Sequence, residues 1–376
     1  MTQPLDICIR GDGIVGRTLA LLLARERLRV GLVTAPAKEA TPATAKSGSD
    51  VRAYALNASS KALLESLRCW PGPQLATEVR SMQVRGDEGG CVQFSAADLQ
   101  VPGLTWIVDV PELEQLLGDA LRFQPQIELL AAPQAARLTV VCEGKASQTR
   151  AELGVDFEVT PYAQTAIAAR LLGEKPHEQT AHQWFASGEI LAFLPMGGPQ
   201  GHAVAIVWSV APERAQALLG ENPAEFCRQL EQASHGVLGR LTLQSTCSAW
   251  PLQMASASRW SGQWEGHSWL LAGDAAHNVH PLAGQGLNLG LGDVQTLAKL
   301  LHERAFWRPV DDEKLLRRYE RSRKTAALTM GTAMDSLQWL FANSSPALQT
   351  LRNLGMQGFD RSHLVKQWVA RQAMGL

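Results

Sequence analysis

The chain has 376 residues with 35 Lys and Arg against 36 Asp and Glu, and its net charge of −1 gives no electrostatic reason to bind nucleic acid. Hydrophobic residues make up 45% of it, enough for a sizeable core in two domains or one interleaved body. No run reaches the roughly 18 apolar residues of a membrane span, the N-terminus has no signal-peptide pattern, and six scattered cysteines without a CxxC pair signal neither a zinc site nor a dithiol centre.

Leu5 to Arg10 reads as a short buried strand, followed by GDGIVG, a helix through RTLALLLARER and a second strand, RVGLVT. That is a β-α-β opening. The Ala-, Pro-, Thr- and Ser-rich stretch after it predicts a long loop. ALNASSKALLESL predicts a helix with Leu63, Leu64 and Leu67 on one face. Small strands are expected over 70–105, then a helix PELEQLLGDAL with Pro at its start. ARLTVVCEG reads as a buried strand. Strand patterns dominate from about 160 to 262, interrupted by a helix around PAEFCRQLEQA. SWLLAGD is a further buried strand, and from Leu287 onward the chain reads as mostly helical.

GDGIVG places Gly11, Gly13 and Gly16 in the G-x-G-x-x-G spacing between a strand and a helix. The first glycine permits the tight turn, the second lets backbone approach a pyrophosphate, and the third lets helix pack on strand. Ile14 and Val15 then open the helix whose N-terminus faces the phosphates. The second strand should end in an acid that bridges ribose hydroxyls, but Thr34 stands there.

The run GDAAHNVHPLAGQGLNLGLGD begins where a buried strand delivers Gly273 and Asp274 at its carboxyl end. A carboxylate there can accept bonds from a polyol. PLAGQGLN reads as extended backbone entering a helix, with Gly284 and Gly286 leaving room for a flat ring. The helix start supplies unpaired N–H groups and partial positive charge, suited to an anionic reduced flavin. Asp293 lies too far along that helix to cap it and is expected to pair with a neighbour. His277 and His280 are three apart without a third ligand, so hydrogen bonding is the expected role and no metal site is expected.

These residues carry a resemblance. GDGIVG, DVRAYALNASSKALLESL from Asp50 and the glycine-rich run resemble the FAD-dependent aromatic hydroxylases, more narrowly the branch acting on ubiquinone precursors. Weaker echoes at Tyr162, Val207–Ser209, Trp250–Leu252 and Leu316 extend it over nearly the whole chain. The resemblance implies a Rossmann-like FAD-binding domain of the para-hydroxybenzoate hydroxylase type, an α/β fold interleaved with a mainly β substrate domain. The division it implies gives 1–70, 105–158 and 265–330 to FAD, 71–104 and 159–264 to substrate, and 331–376 to a helical C-terminal region. Asp274 would bind the ribityl chain. Pro281 and the backbone of Gly284, Gln285, Gly286, Leu287 and Asn288 would line the ring, with Arg52 near the flavin or its phosphates. The family's D-G motif reads Glu143-Gly144 here, with Arg150 closing it, and the segment before Cys142 is short, as though a β-hairpin were trimmed.

The implied chemistry is a monooxygenation. NAD(P)H reduces FAD, O2 forms a hydroperoxide at the flavin C4a, and oxygen passes to an electron-rich ring. The substrate implied is a polyprenylated phenol or quinone precursor. No catalytic base is identified beyond His280, a candidate only through its neighbour Pro281. A lipid-like substrate implies a cytoplasmic protein that docks peripherally on the inner membrane face or joins a ubiquinone-biosynthesis complex. Apolar residues over 333–374 and the basic run Arg317, Arg318, Arg321, Arg323, Lys324 are candidates for that contact. Two other readings stay open: different FAD chemistry on the same fold, such as reduction or halogenation, and a non-catalytic accessory protein.

Overall fold

The computed structural model describes residues 4–34, 51–86, 89–278 and 285–342, with only the backbone described at 285 and 333–342. Its first sheet has six strands in the order β16 (Ser261–Trp264), β17 (His267–Leu271), β9 (Ala136–Val141), β1 (Leu5–Arg10), β2 (Val30–Val33) and β8 (Ile127–Leu130). All pairings are parallel except β16 with β17. The central strands are short, nearly continuous apolar runs, as strands covered on both faces must be. Helices α4 (Val110–Leu121) and α8 (Gln285–His302) both pack against α1 (Ile14–Arg25), which lies on this sheet. Ile7, Ile9, Leu19, Leu23, Leu32, Leu138, Leu270, Leu291 and Leu297 form the centre of its core.

A larger sheet follows the order β18 (His277–Asn278), β15 (Ser248–Ala257), β10 (Phe157–Gly173), β13 (Ala203–Val210), β12 (Glu189–Met196), β11 (Thr180–Ala186), β5 (Ser81–Arg85) and β6 (Cys91–Ser95), with β14 (Leu241–Leu243) also on β10. Helices α6 (Pro212–Gly220) and α7 (Pro223–Ala233) cover one face, burying Phe226 and Leu230 against Ile167, Ile206 and Trp208. Part of the other face meets a three-stranded sheet of β3 (Ala53–Leu56), β7 (Thr105–Asp109) and β4 (Ala76–Val79) through Ala55, Val79, Ile107 and Ala205. The remaining helices are α2 (Ala58–Ser66), α3 (Ala96–Leu99), α5 (Gln148–Glu152) and α9 (Glu313–Ala342).

Three expectations shift. The helix read from Ala55 begins at Ala58, because Ala55 and Leu56 pair with β7 and Asn57 caps the helix by accepting from the Ser60 N–H at 2.9 Å. The short segment before Cys142 holds β8, an added parallel edge strand, and reaches β9 through residues 131–135. Three of the five basic residues named on α9 have carboxylate partners: Arg317 pairs with Glu313 at 2.6 Å, Lys324 with Glu320 at 2.7 Å and Arg323 with Asp293 at 2.6 Å. The apolar side chains of 333–374 lie outside the described side chains.

Candidate functional site

The site is built where β1, β9 and β17 end together. Gly11 turns the chain with φ +111°, and a Cβ there would meet the Cys142 carbonyl oxygen at 2.5 Å. A Cβ on Gly16 would sit 1.9 Å from the Gly11 oxygen, so helix and turn pack backbone to backbone. Gly13 differs: a Cβ added there meets nothing within 4 Å. It is also the N-cap of α1, with no side-chain cap and no acid in the first turn. The N–H groups of Ile14, Val15 and Gly16 are therefore left to an outside anion. Thr34 follows β2 directly, half-buried. It lines a cavity of about 320 Å³ with Asp12, Arg17, Glu114, Gln115 and Asp119.

Beyond β17 the chain makes a single 3-10 turn, Gly273–Ala275, with Gly273 at φ +62°. Asp293 holds this turn. It is fully buried on α8, and its carboxylate accepts the Gly273 N–H at 2.9 Å and Arg323 Nε at 2.6 Å, with His277 Nε2 at 2.7 Å. Burial alone would raise this carboxyl, but His277 and Arg323 outweigh it and hold it below its ordinary range. His277 stacks on Trp260 at 4.8 Å, and Tyr319 donates to the Leu271 carbonyl at 3.1 Å. Asp274 is oriented the other way electrostatically: burial pushes its carboxyl up, against the pull of Lys145, His277, Asn278 and Arg52. It is a partly buried acceptor on a turn held by the Asp293 hydrogen bond to Gly273.

Glu143 ties a third segment to the first two. Its carboxylate accepts from Ser147 Oγ at 2.7 Å, the Thr149 N–H at 3.0 Å and the Thr149 hydroxyl, and it pairs with Arg10 at 3.2 Å. Arg150, on the helix so capped, donates to the carbonyls of Ala275 at 3.0 Å and Lys145 at 2.8 Å. Burial raises the Glu143 carboxyl, but the Thr149 and Ser147 bonds and Arg10 lower it further, to a net position below the ordinary 4.5. Stability from such a depressed group is whole above the unfolded value and is lost as pH falls through the folded one. The acid limb of a pH–stability curve should therefore steepen below about 4.5 in the native protein and be shallower in Glu143→Gln, read by thermal melts at fixed pH steps.

At the start of α8, Gly286 again presents a Cβ-free position with nothing among the described residues within 4 Å. The helix begins at Gln285, so Gly286, Leu287 and Asn288 lie in its first turn rather than in extended backbone. Asn288 spends its side chain on α2 and β3: Oδ1 accepts from the Asn57 N–H at 2.9 Å and Ser60 Oγ at 2.8 Å, and Nδ2 donates to the Ala55 carbonyl at 2.8 Å. Only its backbone can face a ligand. Leu287 is part of the core. Arg52 is exposed, and its carbonyl accepts from Arg170 at 3.4 Å. Asp50, His280, Pro281 and Gly284 lie outside the described residues. Sequence reasoning missed Arg323 and Gly290. A Cβ on Gly290 would be 2.9 Å from Val15 Cγ2 and 3.4 Å from the Gly273 Cα, so α1, the turn and α8 converge there.

These features fit FAD: an uncapped helix N-terminus for a pyrophosphate, a desolvated acceptor for a polyol, and two bare backbones, Gly13 and Gly286, opening into space. A family model described as FAD binding domain matches residues 100–332. The 3-demethoxyubiquinol 3-hydroxylase of Escherichia coli K12 is 30% identical over 398 residues, covering 100% of this chain and 99% of that one. The chain belongs to the FAD-dependent aromatic hydroxylases. Ubiquinone hydroxylase UbiL of Rhodospirillum rubrum is 29% identical, with 98% of this chain and 89% of the relative covered. Among solved structures, p-nitrophenol 4-monooxygenase PnpA of Pseudomonas putida aligns over 100% of this chain and 99% of its own at TM-score 0.75 and 16% identity. PqsL of Pseudomonas aeruginosa, a probable FAD-dependent monooxygenase, aligns over 94% and 99% at TM-score 0.72 and 20% identity, and both likenesses speak for the fold. As a flavin hydroxylase the chain uses FAD, and His277 serves Asp293.

Proposed function

We propose that this flavin hydroxylase adds oxygen to the ring of a prenylated phenol or quinone precursor of ubiquinone, with NAD(P)H and O2 as cosubstrates. The observation that carries the reading is the convergence of the uncapped α1, Asp274 on its braced turn and the open Gly286, in a chain matched end to end by a ubiquinol hydroxylase. In this reading FAD belongs to 1–70, 105–158 and 265–330, and the ring to 71–104 and 159–264. Bound FAD supplies the reduction by NAD(P)H and the activation of dioxygen. Ile14, Val15 and Gly16 bind the pyrophosphate through their N–H groups. Asp274 accepts from the ribityl hydroxyls, with Arg52 beside it. The first turn of α8 offers donors and partial positive charge to an anionic ring. No protein nucleophile is required.

The test is direct. The purified protein should be yellow or take up added FAD, and should convert a prenylated phenol with NAD(P)H to a product heavier by one oxygen. A colourless protein that no FAD can fill supports the accessory reading instead. Peripheral membrane contact belongs to the same proposal, and among the described residues no helix is long and apolar enough to cross a membrane.

Two variants probe the cofactor contacts. Asp274→Ala should weaken FAD by about tenfold to a hundredfold in fluorescence titration, the loss of a charged hydrogen bond, with the melting profile kept. Equal affinity would remove Asp274 from the site. Thr34→Glu should tighten FAD by about tenfold and leave FMN unchanged, since FMN lacks the adenosine ribose. A gain shared by FMN would mean that Thr34 does not reach the ribose.

A further inference from the structure

Lys145 is fastened to the turn that carries Asp274. One guanidinium does the fastening: Arg150 donates to the Lys145 carbonyl at 2.8 Å and to the Ala275 carbonyl at 3.0 Å. Arg150 is buried, with its guanidinium 3.6 Å from the centre of the Phe157 ring, so the link has a fixed backing. The lysine side chain reaches further in. With its amide oriented to satisfy its neighbours, Asn278 donates to the Gln253 carbonyl at 2.8 Å and accepts from Lys145 Nζ at 3.3 Å. Asn278 is buried on β18, shortly after Asp274. Lys145 itself is exposed, yet its ammonium ends on a buried amide beside the turn.

Asp274 needs such a neighbour. Burial is the largest influence on its carboxyl and pushes it up, and Lys145 is the foremost group opposing that push, ahead of His277, Asn278 and Arg52. The protonation state matters for a polyol. An ionised carboxylate accepts from hydroxyls at both oxygens, with the added strength of its charge. A protonated carboxyl commits one oxygen to its own O–H and meets the same hydroxyls as a neutral group.

We infer that Lys145 is a positioning residue for FAD: its ammonium, placed by the Arg150 link and the Asn278 amide, keeps Asp274 an anionic acceptor for the ribityl hydroxyls without touching the cofactor itself. The inference rests on the role proposed for Asp274. Its signature is a dependence on pH. Without the ammonium, burial is less opposed and Asp274 takes up its proton at higher pH. The loss of FAD affinity is then largest on the acid side and fades in alkali. A lysine bonded to the FAD phosphates, which stay ionised throughout, would instead weaken binding by one factor at every pH. His277 and Arg52 face the same carboxylate and are common to all the proteins compared, so the difference between native and variant isolates Lys145.

Fluorescence titration of the apo-proteins with FAD, from about pH 6 to about pH 8.5, is the test. Lys145→Met should weaken FAD by about fivefold at the acid end and by less than about twofold at the alkaline end. Lys145→Arg keeps the charge and should stay within about twofold of native throughout. In an Asp274→Asn background Lys145→Met should change the affinity by less than about twofold at either end, because the carboxylate it serves is gone. A loss of equal size at every pH, or one that persists in the Asp274→Asn background, gives Lys145 a contact of its own and overturns the inference. Native affinity of Lys145→Met at the acid end overturns it too. Asp274→Asn that binds FAD as the native protein does removes Asp274 from the functional reading, and this inference with it.

Discussion

Asp293→Ala should cost about 3–5 kcal/mol of folding stability and release the flavin, the largest effect expected of any single change in this chain. Three groups lose one acceptor at once: the Gly273 N–H, His277 Nε2 and Arg323 Nε. The Arg323 side chain is only 12% exposed, so its charge would be left with little water to replace the carboxylate. Asp293→Asn keeps an acceptor but no charge, and should fall between the two. Denaturant unfolding of the apo-proteins measures the stability term, and flavin titration of whatever remains folded measures the other. A change under about 1 kcal/mol would mean that Arg323 rehydrates by moving outward, and that the turn is held by its own backbone.

Gly286→Val should leave the protein folded and able to bind FAD through its adenosine half, yet lower turnover by about a hundredfold or more. The asymmetry follows from space. A Cβ at Gly286 meets no atom of the described residues within 4 Å, so none of them resists it, and the side chain should project into the room a ring would use. Gly290, one turn along, is the control: there the Cβ would press on Val15 at 2.9 Å, and the damage should appear first as lost stability. Product analysis beside flavin titration separates the two. Native product formation in Gly286→Val would move the ring site elsewhere.

Much of the architecture was legible because it rests on local signals. Continuous apolar runs gave β1, β2, β9 and β17, and the spacing of Gly11, Gly13 and Gly16 gave the turn into α1. Asp293 could be read only as paired with something nearby. One of its two charged partners, Arg323, lies 30 positions away and belongs to a basic run that reads as a solvated surface. Pairings across such distances depend on how helices cross, which periodicity does not encode. Gly290 is similar: inside a helix pattern it reads as a weakness, whereas here it lets three segments touch. Glu143 was visible as a departure from the D-G motif. What the sequence could not convey is that the carboxylate still reaches Ser147, Thr149 and Arg10 together.

The brace between Asp293 and Arg323 also orders events during synthesis. The glycine turn at Gly11 is made before its partners, since β9 joins β1 only after residue 136 and β17 only after residue 267. The turn bearing Asp274 is secured later still, when Arg323 has emerged to meet Asp293. A nascent chain must therefore keep its N-terminal β-α-β unit in waiting while the middle sheet is made, with the slow closure expected of distant pairings.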